Sequence, residues 1–325
     1  MTIRFRAAST AAMALVLGLS MASAGCGKYS VGTLKAIKAF KDGNLAYAQK
    51  DWKKAVEHYE EVVSHEDAFE KYPQLSTAYF FLGNSYDQLY KPAKQGDATN
   101  DGYIQKAIQN YRKAADKNTD KAWKKSSLEY LAAAYGSDKL NDAAKAEPVY
   151  KEIIALDPSE PQNYMALAKL YEDGGRYDEA EAEYNKASEA KPNDPSVLAG
   201  KAGFYNRQGD FPKTIDALEK AAALEPNNPE GYHRVATFYW EKANKDYRLT
   251  AADKREYIMK GLAMEDKALS LNPDYMEAIT YKNILLRLQA NTEKDPKKQK
   301  ELIDEADKLR NRVIDAQKRK QTGKG

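Results

Sequence analysis

Three histidines and one cysteine are the residues of this chain best suited to metal binding or nucleophilic chemistry. His58 and His65 are seven residues apart on or near one predicted helix, with glutamates close by, so a metal site there is one interpretation. The simpler interpretation is that both histidines are exposed on the surface of a helix. The sequence contains no His-Glu-x-x-His, Gly-x-Ser-x-Gly or phosphate-loop pattern. We therefore predict no metal, no cofactor and no catalytic residue; an enzyme with an unrecognised acid–base pair is the alternative.

The cysteine, Cys26, follows a segment that is typical of an export signal. Arg4 and Arg6 precede an apolar stretch from Ala11 to Leu19, and small residues come next. This stretch is shorter than the roughly 20 residues that a membrane-spanning helix needs. Residues 1–25 are therefore predicted to be a signal peptide.

Two cleavage sites fit this segment. Ala22-Ser23-Ala24 matches an Ala-x-Ala site, and cleavage after Ala24 would release a soluble protein. Ser23-Ala24-Gly25-Cys26 resembles the lipobox of bacterial lipoproteins, although Ser23 stands where that motif usually has Leu. The resemblance implies that Cys26 becomes the N-terminus and carries acyl chains such as palmitate. The position of the single cysteine at this junction favours lipidation, with soluble export and an uncleaved anchor as alternatives.

The chain as a whole is highly polar and nearly neutral. Charged residues make up 30% of it, and its mean hydropathy is −0.76. The 51 basic residues are balanced by 48 acidic ones. This balance gives no support for a nucleic-acid partner, which would attract an excess of positive charge.

The clearest pattern in the sequence is a repeat of 34 residues. Pro158, Pro192 and Pro226 recur at this period, and the segments between them have the spacing of helix, turn and helix. In the unit from Pro161 to Asp194, one helical face carries Tyr164, Leu167, Ala168 and Tyr171. Gly174-Gly175 then breaks the helix, and a second helix carries Tyr177, Ala180, Tyr184 and Ala187.

This pattern resembles the tetratricopeptide repeat (TPR), in which large and small residues alternate so that paired helices pack closely. Ala168 and Ala180 stand at its two small positions. The resemblance extends over roughly residues 30–316 and implies an all-α, right-handed superhelical α-α solenoid of about seven helix pairs. Besides 161–194, the units are Gly43 to Val62, Tyr79 to Ala114, Leu128 to Pro158, Pro195 to Asn228, Tyr232 to Pro273 and Met276 to Leu309.

Insertions and a tail complete the predicted organisation of the mature chain. The solenoid is assigned to residues 26–320, with insertions near 91–102 and 244–256 between the two helices of their repeats. Thr250 followed by Asp253 predicts a helix N-terminus within the second insertion. The basic segment 317–325 contains no apolar residue and is predicted to fray.

The resemblance also implies where a partner binds, since the first helices of TPR pairs line a concave face. Large apolar residues on that face are candidate anchors for a bound segment. The alternative is that each packs under a neighbouring repeat or loop, and the two insertions are a second candidate surface. The predicted partner-binding residues are Phe80, Asn84, Asp87, Arg207, His233, Trp240 and Glu241.

Together these features predict a protein that binds a polypeptide in the bacterial cell envelope. The resemblance is to periplasm-facing, membrane-anchored TPR lipoproteins that act as assembly factors or scaffolds. The expected partners are a protein or peptide segment and the membrane, through a lipid on Cys26. We predict no nucleic-acid partner and no small-molecule substrate. A soluble periplasmic or secreted adaptor is the alternative.

Overall fold

The structure is a computed structural model that describes residues 30–321. The predicted signal peptide and Cys26 lie outside this range. Every regular element within it is a helix, and the described chain forms two compact units, one ending at Tyr177 and one beginning at Asp178. None of the helices in residues 30–321 is long and apolar enough to cross a membrane.

The first unit contains the helices that correspond to the first three repeats. The pairs α1–α2, α4–α5 and α6–α7 each pack together, and α8 packs on α7. A short helix, α3, and two 3₁₀ helices lie between longer elements. The bounds are α1 Val31–Ala48, α2 Trp52–Val63, α3 Asp67–Lys71, 3₁₀ Pro73–Thr77, α4 Ala78–Leu89, 3₁₀ Pro92–Lys94, α5 Ala98–Lys117, α6 Lys121–Tyr135, α7 Ala143–Leu156 and α8 Pro161–Asp173.

The second unit contains the remaining repeats. Its helices are α9 Tyr177–Ala190, α10 Pro195–Arg207, α11 Phe211–Leu224, α12 Pro229–Lys245, α13 Ala251–Leu271, α14 Met276–Ala290 and α15 Pro296–Gln321. The pairs α10–α11, α12–α13 and α14–α15 each pack together. The predicted all-helical fold with consecutive helix pairs is confirmed.

The turn between paired helices has the same construction in several repeats. A residue with positive φ precedes an aspartate whose side chain accepts a hydrogen bond from the backbone N–H three residues later. This bond satisfies one of the N–H groups that a helix start leaves unpaired. The φ values are 59° at Lys50, 50° at Asn141 and 74° at Gly209, and the capping aspartates are Asp51, Asp142 and Asp210.

Close packing within a pair depends on small residues in the first helix. A Cβ atom on Gly83 would lie 2.9 Å from Cδ1 of Tyr111, a residue on the second helix of the same repeat. Gly43 has the same relationship with Tyr59. The predicted small positions Ala168 and Ala180 are both completely buried. The alternation of small and large residues in the sequence therefore corresponds to the packing of the core.

Part of each inserted segment lengthens a helix, so the loops are shorter than the insertions. In the first, residues 98–102 belong to α5, and the buried side chain of Asn100 bonds to the backbone of Lys91 and Lys94. In the second, only residues 246–250 lie outside α12 and α13. The predicted helix start at Thr250 is confirmed as a capping box with Asp253.

The predicted boundary of the C-terminal tail also changes. We expected the chain to fray from residue 317, but α15 continues to Gln321. Residues 322–325 lie outside the described range.

Candidate partner-binding surface

Phe80 is the predicted anchor that the structure corrects most clearly. It lies on α4 in the first unit and is only 2% exposed. Trp123 and Tyr130, on the first helix of the next repeat, cover its ring with centroids at 5.3 and 5.1 Å. Phe80 is therefore a core residue, as the alternative interpretation had it. Its replacement by Ala would leave a cavity rather than remove an exposed contact.

Asn84 and Asp87, also on α4, are buried and bonded within the protein. The Asn84 side chain accepts a hydrogen bond from Tyr47 at 2.7 Å. The Asp87 carboxylate accepts bonds from Lys139 at 2.6 Å and from Tyr111 at 3.1 Å. The hydrogen bonds of these groups are already satisfied within the protein. The prediction that Asn84 and Asp87 are available to a partner is therefore not supported.

The second unit places two of the predicted residues together on a partly exposed surface. His233, Thr237 and Trp240 follow one another along α12 at i, i+4 and i+7, which is one helical face. Tyr281 of α14 contacts both aromatic members of this row, with ring centroids 5.2 Å from His233 and 5.3 Å from Trp240. All four side chains are partly exposed. We call His233, Thr237, Trp240 and Tyr281 the α12–α14 surface.

A buried acid fixes one end of this surface. Nδ1 of His233 lies 2.9 Å from Oε1 of Glu265, on α13, and Glu265 is completely buried. Burial raises the pKa of this carboxyl group above its usual value, while the imidazole acts in the opposite direction. Tyr275 also contacts the imidazole edge-to-face, with ring centroids 5.3 Å apart. The bond to Glu265 and the contacts with the two tyrosines restrict the orientation of the His233 ring.

Sequence reasoning missed Glu265, although the repeat contained a signal for it. Glu265 lies eight residues before Pro273, and the same register is occupied by Tyr150, Tyr184 and Leu218 in other repeats. A carboxylate at a core position needs a buried partner. Tyr281 was missed as well, because the face of α14 could not be assigned until its contact with α12 was known.

The remaining two predicted residues, Arg207 and Glu241, are not part of the α12–α14 surface. Glu241 is exposed on α12 and pairs with Lys245 at 2.6 Å. It lines a recess of about 210 Å³ with Asn206 and Phe238. Arg207 is exposed on the last turn of α10. The seven predicted residues thus fall into two groups that belong to different units.

The described residues do not contain a cluster suited to metal binding. Within residues 30–321, no three His, Cys, Asp or Glu side chains are arranged so that they could hold a metal ion. His58 and His65 are both partly buried.

Known proteins identify the architecture that carries this surface. A family model for the tetratricopeptide repeat matches residues 139–203. The C-terminal part of a TPR repeat-containing protein from Cytophaga hutchinsonii aligns over 85% of this chain and 98% of its own, with a TM-score of 0.52 and 15% identity. Residues 139–203 are tetratricopeptide repeats, and the chain has the TPR fold.

Two other solved structures match the chain with lower TM-scores. A tetratricopeptide repeat protein from Parabacteroides merdae covers 84% of the chain and 99% of its own length, with 14% identity and a TM-score of 0.45. YrrB, described as a TPR protein with an unusual peptide-binding site, covers 65% of the chain and 99% of its own, with 17% identity and a TM-score of 0.39. No curated protein shows significant similarity to the sequence.

Proposed function

We propose that this protein is a non-catalytic scaffold of the bacterial cell envelope that holds a polypeptide segment on the α12–α14 surface. The observation that carries the proposal is the contact of Trp240 with Tyr281, two aromatic side chains from different repeats that remain partly exposed. Trp and Tyr are enriched among the residues that dominate binding energy at protein interfaces.

The chemistry of the surface suits a peptide. The aromatic rings offer apolar area to a partner side chain. The Thr237 hydroxyl lies between them along α12; it donates to the backbone oxygen of Arg234 at 2.7 Å, and its own oxygen can still accept a bond. Hydroxyl and imidazole groups can bond the backbone of an extended segment. The buried Glu265 limits the motion of His233, and a side chain that is already ordered loses less entropy when it binds.

A comparison of partner capture tests this role. The mature protein, its Trp240→Ala variant and a Lys220→Ala control would be used as baits for native membranes, with bound proteins quantified by mass spectrometry. Lys220 is exposed on α11, in the same unit, and pairs only with Asp216 among the described ion pairs. We expect a defined partner to be lost by roughly tenfold or more with Trp240→Ala and to be retained by the control. Equal capture by all three baits would reject the surface, provided that circular dichroism shows equal helical content.

Glu183 and Lys186, on α9, would be less suitable controls. Glu183 is buried and its carboxylate lies 2.7 Å from Nζ of Lys186. Replacing either residue would disturb an internal pair as well as the surface.

The proposed location depends on Cys26. The lipobox-like sequence supports a lipid anchor there, and the Ala24 site supports soluble export instead. Labelling of cells with a palmitate analogue and fractionation of their membranes distinguish the two. We expect label and membrane retention in the natural protein and loss of both with Cys26→Ser. A soluble, unlabelled natural protein that is cleaved after Ala24 would contradict the anchor.

A further inference from the structure

The first described helix, α1, has an outer face that carries both apolar and basic side chains. Val31, Leu34 and Leu45 are 72%, 50% and 59% exposed, high values for large apolar residues. Lys38 and Lys41 lie between them and are also exposed. Their spacing of i, i+3, i+7, i+10 and i+14 places all five along one stripe of the helix.

This stripe is the side of α1 that faces away from its packing partners. The buried residues of α1 are small ones, such as Ala36, Ala39 and Gly43, and they face α2 and the elements that follow it. The exposed stripe, which we call the α1 outer face, is therefore a helix surface that the described chain leaves uncovered. Lys35 flanks it, and Asp42 is the one acidic residue of α1.

We propose that the α1 outer face lies on the surface of a membrane that contains anionic lipids. Three lysines on a single helix attract negatively charged headgroups. Their aliphatic stems can extend to the phosphate level while the neighbouring apolar side chains enter the interface. Val31, Leu34 and Leu45 are the side chains that would enter it.

The position of α1 in the chain supports a membrane as the occupant, an argument that rests on the proposed lipid anchor. Val31 follows Cys26 by five positions in the sequence. Even a fully extended chain of this length spans no more than about 18 Å. A lipid on Cys26 would therefore keep the start of α1 close to the bilayer surface.

A second copy of the chain is a less suitable occupant. The stripe has the spacing of a coiled-coil seam, but Lys38 and Lys41 would occupy seam positions in both copies. Packing two such faces together would bury like charges, which destabilises the contact. Anionic lipid instead supplies the opposite charge.

Vesicle binding by unlipidated protein tests the proposal. The mature chain from residue 26, with Cys26→Ser, would be sedimented with vesicles of phosphatidylglycerol and phosphatidylcholine, or of phosphatidylcholine alone. The test variant is Lys35→Glu, Lys38→Glu and Lys41→Glu combined. The matched control is the same change at Lys297, Lys298 and Lys300, three exposed lysines of α15.

We expect binding to the anionic vesicles only, and a loss of roughly tenfold or more in the α1 variant with little change in the control. Leu34→Ser with Leu45→Ser should also weaken binding. Absent binding, or binding that the α1 changes leave unaltered, would overturn the proposal. If the protein formed dimers in lipid-free solution and Leu34→Ser caused them to dissociate, the α1 outer face would be an interface with a second copy instead.

The outcome is separable from that of the lipid anchor. Vesicle binding through α1 with no palmitate label on the natural protein would reject the anchor and keep the membrane face. A labelled protein whose unlipidated form ignores anionic vesicles would keep the anchor and reject the membrane face.

Discussion

The imidazole Nδ1 of His233 lies 2.9 Å from a carboxylate oxygen of Glu265, and Glu265 has no solvent exposure. This pair connects the first and second helices of one repeat, α12 and α13, directly beneath the α12–α14 surface. It replaces an apolar core contact, because the register of Glu265 is filled by Tyr or Leu in three other repeats.

Removing the imidazole should cost more than removing the acid. His233→Ala leaves a completely buried carboxyl group without its partner, and we expect a loss of about 1–3 kcal/mol in the free energy of unfolding. Glu265→Leu should cost less, because the imidazole that it leaves is partly exposed and can bond water. Replacing both residues removes the pair altogether and should be closer to neutral than His233→Ala. Denaturant unfolding of both single variants and the double variant measures this. A double variant less stable than His233→Ala alone would contradict the assignment.

The same pair predicts a pH dependence. Burial raises the pKa of Glu265, so ionisation of this group disfavours the folded state. The stability that the protonated carboxyl provides is complete below the usual carboxyl pKa and is lost as the pH rises through the folded-state value. The imidazole opposes this increase in pKa, so its removal makes ionisation of Glu265 in the folded state still less favourable. The loss of folding stability in His233→Ala, relative to the natural protein, should therefore be larger at pH 8 than at pH 5. A deficit that is constant with pH would contradict this.

Gly83 provides a test of the packing within a repeat. Gly83→Ala would place a methyl group 2.9 Å from the ring of Tyr111 and 3.2 Å from the backbone oxygen of Ala107. We expect destabilisation of about 1–3 kcal/mol. Gly102→Ala is the matched control in α5, since no atom lies within 4 Å of its new methyl group, and it should stabilise the helix by about 0.5–1 kcal/mol. Thermal melts in which both variants change the Tm in the same direction would contradict the packing described here.

Glu147 should make an acid-sensitive contribution to the first unit. Hydrogen bonds from Lys151 and Arg176, and a weaker one from Tyr171, lower the pKa of this carboxyl group to about 2. The ionised form therefore stabilises the fold above the usual pKa of 4.5, and this stabilisation is lost as the pH falls toward 2.

The measurement compares Glu147→Gln with the natural protein. The lysine and arginine are exposed enough for solvent to screen the pairs, so we expect a loss of only about 1 kcal/mol at pH 7. Melting curves at pH 7 and pH 3 should show a difference in Tm that shrinks at the lower pH. A Tm difference that is larger at pH 3 than at pH 7 would contradict this account of Glu147.

The sequence was sufficient to predict the repeat, its turns and its small packing positions, because each depends on neighbouring residues within 34 positions. The assignment of Trp240 and His233 to a partner-binding surface stays a prediction, since both side chains are partly buried and Trp240 also packs against a core cluster. The sequence could not show that Phe80 is buried, since the rings that cover it, Trp123 and Tyr130, come from the next repeat. Cover of that kind depends on how successive helix pairs stack, which a single repeat does not encode.

Prediction from sequence was less precise in the two insertions for a different reason. Composition indicated a loop at 91–102, but glycine and polar residues also occur in the first turns of helices. Thr250 and Asp253 were informative because a capping box has a defined geometry. Asn100 was not, since its bonds to Lys91 and Lys94 depend on the path of the intervening chain.

Photo-crosslinking from Thr237 in living cells tests the central claim most directly, because this residue lies between His233 and Trp240 on the proposed surface. A photoreactive phenylalanine analogue would replace Thr237 in the natural chain, and Lys220 in a matched control. The proposal predicts a discrete protein adduct from position 237, its loss when Trp240→Ala is added, and none from position 220. Adducts from position 220 with none from 237, or adducts from 237 that persist undiminished with Trp240→Ala, would contradict it.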